Sequence, residues 1–405
     1  MKFGLIYIFL LLLLVGCSDS EREPGLETSE EILGSISVSK VSRATTINDE
    51  EEMAPGDVKA LEGNFEFSDE SLLYISQLGT TSDPNFTDNA TSNLYIFQYK
   101  KNEDANWDEN YNFVAKKDSQ LLTWTNIKNM GSVGNAFSLY AMSFPGNEII
   151  FNVSKDQSGG TDDPFNSINF NKSDILGAFH ATSALYTRLR FNLFHLMTYL
   201  KVTLYVPDYQ EKTNDGDQVS YSGYKEGAVQ AGYVLNTYTD FTIDWRANRS
   251  SDSEAPLTYG TGRSTSIKMY MNEPQDEIIK LENVTDYFGA SKLTDDNVRA
   301  YNFSVLFPAR NSTDKTNISL CFNLQNIDQQ MKYYYFESNQ ITTGNYTPAQ
   351  GTLQQLYLYL PRTDNTAILV GAKILPWGTS STDMTVTEEK TDGFDEEFTG
   401  SESTD

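Results

Sequence analysis

Cysteine and histidine are almost missing from this chain, with two of each in 405 residues. Two cysteines cannot form the disulfide framework of a stapled secreted domain. His180 and His195 fit no zinc-ligand spacing and stand beside no serine or cysteine nucleophile motif. Positive charge is scarce too: 30 Lys and Arg stand against 56 Asp and Glu, a formal net charge of -26. Nucleic acid and anionic membrane surfaces would repel such a chain, so neither is an expected partner. Phosphate-cradling glycine motifs and a nucleophile elbow are absent. The carboxylates are many, but abundance does not define an acid–base pair, and an acidic surface glycosidase, which would need such a pair, stays an open reading on composition alone. Residues 104–110 begin like a calcium loop, yet Glu109 stands where the sharp turn needs glycine and Ala115 where the bidentate glutamate belongs. No catalysis, cofactor or metal is expected.

Only one long apolar run occurs, at residues 5–15. Its length of about eleven residues is that of a signal-peptide core and too short to span a bilayer. Lys2 supplies the charged start, and Leu14-Val15-Gly16-Cys17 closes the run. The small residue before Cys17 fits a lipoprotein signal, in which the thiol is acylated and residues 1–16 are removed. Acyl chains contribute roughly 0.8 kcal/mol per buried methylene, enough for a multiply acylated Cys17 to hold the chain on a membrane without a spanning segment. Ser18-Asp19-Ser20-Glu21 resembles the acidic export tag that sends lipoproteins to the outer face of the outer membrane.

Beyond residue 31 the pattern is that of strands. Ile36 and Val38 sit at strand period, and a polar break at Ser42-Arg43-Ala44-Thr45 precedes the acidic residues 48–52. Strand-like runs then recur between Gly, Asn, Asp, Ser and Pro clusters, among them residues 93–99, 137–142, 200–206, 301–307, 332–336, 353–360 and 367–375. In residues 200–206, Leu200, Val202, Leu204 and Val206 alternate with Lys201, Thr203 and Tyr205, which predicts a sheet with one wet face. Many short strands favour β-sandwiches over an α/β core. The best helix candidate is residues 174–185, capped by Ser173. The polar stretch 208–232 is read as an interdomain connection or a long hairpin loop. Residues 388–405 carry eight acidic residues against Lys390 and read as a solvated tail.

His195 is embedded in Phe191-Asn192-Leu193-Phe194-His195-Leu196-Met197 and reads as a hydrogen-bonded core histidine. Alternation puts Ile318, Leu320, Phe322 and Leu324 on one face of a strand and Cys321 on the other, a bland strand cysteine. The chain's 24 tyrosines, 23 phenylalanines and 4 tryptophans are compatible with strand packing and also with a platform that stacks on sugars.

Asp174-Ile175-Leu176, followed by Phe191, His195, Met197, Thr198, Leu200, Val202 and Leu204 at their spacings, resembles the fimbrillin family, subunits of type V pili and related surface lipoproteins of Gram-negative anaerobes. Val305-Leu306-Phe307-Pro308 and Ile374-Leu375-Pro376-Trp377-Gly378 look like that family's second domain. The resemblance implies an all-β chain of two transthyretin-like β-sandwich domains in tandem: a signal peptide at 1–16, a lipidated tether and propeptide strand at 17–43, sandwiches at 44–210 and 211–387, and the tail at 388–405. It also implies assembly by strand exchange, in which an arginine-specific protease removes the lipidated piece with a first strand and another subunit's strand fills the groove. The matching cut lies between Arg43 and Ala44; an uncut, solvated Arg43 is the other reading. The implied partners are other fimbrial subunits, that protease, the outer membrane through Cys17, and a host protein or glycan. The implied location is the surface of the cell outer membrane and the fimbrium. Met384, Val386 and the acidic tail extend beyond the family's usual last strand, which leaves stalk, tip and anchor roles open. A permanently anchored ligand-binding lipoprotein is the alternative.

Overall fold

The computed structural model describes residues 35–39, 53–58, 72–76, 94–100, 110–117, 133–139, 142–143, 150–159, 163, 165–180, 190–191, 194–213, 219–243, 257–259, 265–273, 277–290, 293, 297–308, 319–337, 350–362 and 365–377. Along the chain these form β1 (Ser35–Ser39), β2 (Leu72–Ser76), β3 (Leu94–Tyr99), β4 (Asn110–Ala115), β5 (Val133–Leu139), β6 (Met142–Ser143), β7 (Ile150–Asn152), α1 (Ile168–Lys172), β8 (Leu176–His180), β9 (Arg190–Phe191), β10 (Phe194–His195) and β11 (Met197–Pro207). There follow β12 (Gln210–Thr213), β13 (Val219–Ser222), β14 (Val229–Thr237), β15 (Asp240–Ile243), β16 (Leu257–Tyr259), β17 (Thr265–Lys268), β18 (Tyr270–Met271), β19 (Ile278–Lys280), α2 (Leu281–Tyr287), β20 (Asn297–Pro308), β21 (Ser319–Gln325), β22 (Met331–Glu337), β23 (Thr352–Tyr359) and β24 (Ile368–Pro376). The chain is mostly β, as its alternating runs imply.

An eight-stranded sheet runs β10-β8-β5-β2-β3-β4-β1-β9. A six-stranded sheet runs β18-β20-β11-β23-β24, with β19 also paired to β20, and a four-stranded sheet runs β17-β14-β21-β22. Smaller sheets are β16-β15-β7-β6 and the hairpin β12-β13. That hairpin is what the polar stretch 208–232 builds. Pairings are antiparallel except β1 with β9 and β11 with β23. β11 pairs with β20 and β23, so residues 197–207 share a sheet with the C-terminal strands.

The main core lies between the six-stranded sheet and the β17-β14-β21-β22 sheet. Leu200, Val202, Leu204 and Val206 of β11 meet Phe303 and Val305 of β20, Leu356 and Leu358 of β23, and Leu320, Phe322 and Leu324 of β21 in one buried cluster. Phe303 and Phe322 pack with ring centroids 5.5 Å apart. Each such side chain contributes about 1.5–3 kcal/mol by leaving water, so the period-2 apolar pattern is what joins these sheets.

The opposite face of β11 departs from expectation. Lys201, Thr203 and Tyr205 alternate outward as the sequence implies, yet they are 2%, 1% and 0% exposed. The predicted wet face is covered. One end is capped by α1, whose Phe170 packs on Tyr199 at 5.3 Å. The other is capped by α2, where Leu281 and Val284 are buried and Phe288 packs on Tyr357 at 4.6 Å. Gly371 of β24 admits that ring, since a Cβ there would lie 2.5 Å from Phe288 Cδ1.

The helix expected at residues 174–185 is not found in its described part, residues 174–180. Ser173 ends α1 instead of opening a helix: its hydroxyl donates to the Asn169 carbonyl (2.9 Å) and accepts from the Ser154 N–H (3.0 Å). Leu176–His180 is then strand β8, because β5 and β10 offer ladders on both sides. β-pairing outweighs a loose helical period.

Candidate functional site

The informative places are those where one segment is held by strands remote in sequence. β1 is the first. It pairs antiparallel with β4, from Ser35 opposite Val114 to Ser39 opposite Asn110, and parallel with β9 through Ser37 with Arg190 and Val38 with Phe191. β1 therefore satisfies the backbone groups along the edge of β4 that would otherwise be open to another strand. Each ladder hydrogen bond is worth roughly 1 kcal/mol net, so a five-residue strand is held firmly but replaceably.

The second is a strap of residues 53–58 over the middle of β11. Ala54-Pro55-Gly56-Asp57 has proline and glycine where a type II turn needs them. The Asp57 N–H donates to the Ala54 carbonyl (2.9 Å), and Gly56 has φ +71°. A Cβ on Gly56 would sit 2.3 Å from Ile279 Cδ1, so the turn seats only with glycine.

The sheet supplies donors to the strap's carbonyls. Tyr205 OH donates to Pro55 O (2.8 Å) and Asn302 Nδ2 to Gly56 O (3.0 Å), while Lys201 Nζ donates to Val58 O. Lys201 also pairs with the Asp57 carboxylate, the two side chains being 2% and 5% exposed. Tyr357 OH lies 2.9 Å from Asp57 Oδ2. Thr203 Oγ1 lies 2.9 Å from both Asp57 Oδ1 and Asn302 Oδ1, so its one proton serves them in turn. Burial pushes the Lys201 amine below its usual range, with Asp57 opposing. Burial, and then the Asp57 charge, pushes the phenols of Tyr205 and Tyr357 far upward, so both stay donors.

A third contact joins α1, β10 and the end of β24. His195 Nδ1 is 2.8 Å from Asp174 Oδ1 with both side chains fully buried. The imidazole stacks on Trp377, centroids 3.8 Å apart and planes 19° apart. Trp377 meets Tyr199 edge-on at 5.2 Å, and its backbone N–H donates to Gly351 O at 2.7 Å. His195 Nε2 has no hydrogen-bond partner among the described residues, and its burial between Asp174 and Trp377 is that of a core histidine.

Cys321 is a free, buried thiol among the described residues, on the face opposite Leu320, Phe322 and Leu324, as alternation predicts. Burial raises its pKa, so the reactive thiolate forms only above the usual pH. A thiol-alkylating reagent at neutral pH should label Cys321 far more slowly in native protein than in denatured protein, and the native rate should climb with pH; equal rates would contradict its burial. Beside it, β22 presents Met331, Tyr333 and Tyr335 at 45%, 47% and 47% exposure.

Cys17, Arg43 and Ala44, the site residues expected from sequence, lie outside the described residues, as do residues 104–109 of the calcium-like run and the acidic tail; Asn110 and Ala115 of that run are the two ends of β4. Among the described residues no group of three His, Cys, Asp or Glu is arranged to hold a metal, and no helix is long and apolar enough to cross a membrane. The Asp57 strap was missed from sequence. Its signal was Lys201 itself, a lone cation in an apolar strand that demands an acidic partner.

The chain is structurally similar to Bacteroidales fimbrial and adhesion proteins. A proposed cell adhesion protein from Bacteroides uniformis superposes with a TM-score of 0.39 at 12% identity, over 85% of this chain and 98% of that one. One from Bacteroides ovatus gives 0.41 at 11%, over 85% and 98%. A fimbrial anchor protein from Porphyromonas gingivalis gives 0.32 at 9%, over 85% and 99%. No family model and no curated protein matches the chain.

Proposed function

We propose that this chain is a fimbrial structural subunit, exported as a surface lipoprotein of the outer membrane and matured by removal of its lipidated N-terminus. In this reading it folds as two transthyretin-like sandwiches, Cys17 carries the lipid, and an arginine-specific protease cuts between Arg43 and Ala44. A strand from another subunit then takes the place of β1. The observation that carries the reading is the position of β1: a five-residue strand paired on both sides that ends four residues before Arg43. Its loss would leave the β4 edge open, a groove of the kind that strand addition fills.

Arg43→Ala is the test. Wild-type protein from the cell surface should form polymers that begin at Ala44, whereas the variant should keep residues 17–43 and stay monomeric. Polymers of normal length from the variant would overturn the reading. The alternative, a permanently anchored lipoprotein that binds a host protein or glycan, draws support from the exposed Tyr333 and Tyr335, and retention of Cys17 in all surface material would favour it.

A further inference from the structure

Lys201 and Asp57 are 144 residues apart in sequence and in direct contact within the covered face of β11. Their backbones are fixed independently. Lys201 is held between β20 and β23 by the ladders of β11. Asp57 is held by the glycine turn and by the carbonyl contacts of Pro55 and Gly56. Two reacting groups held this way can reach effective molarities of about 10⁵ M or more. Both are shielded from bulk water, the medium that normally drives amide condensation backwards. The carboxyl also has a hydrogen-bond donor poised at each oxygen, Tyr357 at Oδ2 and Thr203 at Oδ1. Donors so placed stabilise an oxyanion developing on the attacked carbon.

We propose that Lys201 and Asp57 become joined by an isopeptide bond, an intramolecular amide that staples residues 53–58 to β11. A proton passes from the ammonium to the carboxylate within the pair, leaving a neutral amine and a neutral acid. Nζ attacks Cγ, and the negative charge gathers on Oδ2, where Tyr357 donates. The Cγ–Oδ1 bond breaks as Oδ1 takes up a proton shed by the nitrogen, and one water departs. The products are one secondary amide and one water, with no change of oxidation state and no co-reactant. The lowered pKa of Lys201 enlarges the share of neutral amine. Condensation also removes two buried charges, each of which costs several kcal/mol to desolvate. With Cys321 the one cysteine besides Cys17, such a staple would give an exported chain the cross-link that a disulfide cannot.

The test is mass spectrometry of the full chain, denatured and digested. Whether the chain starts at Cys17 or at Ala44, it contains both residues, so the outcome is independent of the fimbrial reading. Expected is a mass lower by one water than the sequence requires, with a branched peptide linking the segment around Asp57 to the segment around Lys201. Lys201→Arg keeps the positive charge but has no condensing amine, and should show the full mass. Full mass and unlinked peptides in the wild-type chain would overturn the proposal, leaving an ion pair. So would a water loss that persists in Lys201→Arg.

Discussion

Replacing Asp57 with alanine lowers the stability of the fold by about 3–5 kcal/mol relative to the chain in which Asp57 and Lys201 are still an unlinked pair, the cost of leaving one member of a buried ion pair without its partner. Lys201 would keep the Val58 carbonyl as an acceptor but no counter-charge in a site where its side chain is 2% exposed. Thr203 and Tyr357 would fall back on Asn302 Oδ1 and Gln355 Oε1. The strap would lose its grip on the sheet, and water would reach the polar middle of β11. The double variant Asp57→Ala with Lys201→Met should recover much of the loss, because apolar replacement of a whole buried pair is often close to neutral. Denaturant unfolding measures both. An Asp57→Ala midpoint equal to that of wild type would show that the strap does not hold this face.

Trp377→Ala should cost a similar amount, about 3–5 kcal/mol, as is usual for removing a large buried aromatic. Trp377 is 2% exposed. It closes one end of the same face by stacking on His195 and meeting Tyr199 edge-on. The loss would expose the His195–Asp174 pair, so the damage should reach beyond a cavity: α1, whose Phe170 shares Tyr199, should gain amide exchange before the inner core does. Trp377→Phe keeps a ring for the stack and should lose less. Uniform exchange across the sheets in Trp377→Ala would argue against a local seal.

Local pattern carried as much of this fold as local pattern can carry. Leu200, Val202, Leu204 and Val206 are inward because alternation is a property of the strand itself, and Cys321 is placed by the same rule. What covers Lys201 was not legible, since the covering turn lies 144 residues away and its Ala54-Pro55-Gly56-Asp57 signature says only that a turn forms. His195 could be read as a core histidine from its apolar neighbours, whereas Asp174 and Trp377 come from elements brought together by the sheets. α2 was missed although Leu281, Val284 and Phe288 keep a helical stripe, because seven residues are too few for periodicity to stand out. The helix placed at residue 174 failed for the converse reason: Ser173 carries the side chain of an N-cap, but the β5 and β10 ladders decide the backbone beyond it.

The covered face also bears on strand replacement. The strap lies downstream of Arg43 and is held by β11, while β1 lies upstream and is held by β4 and β9. A cut between Arg43 and Ala44 would separate segments that are each anchored to a different sheet, so the mature chain would keep its strap when it gives up β1.

The N-terminal residue and lipid content of the protein, taken from intact cells and from polymers sheared off their surface, test strand replacement most directly. The account predicts lipid-free polymers that begin at Ala44 and dissociate on heating. An acylated Cys17 start in every fraction, with only monomers in the membrane, would contradict it.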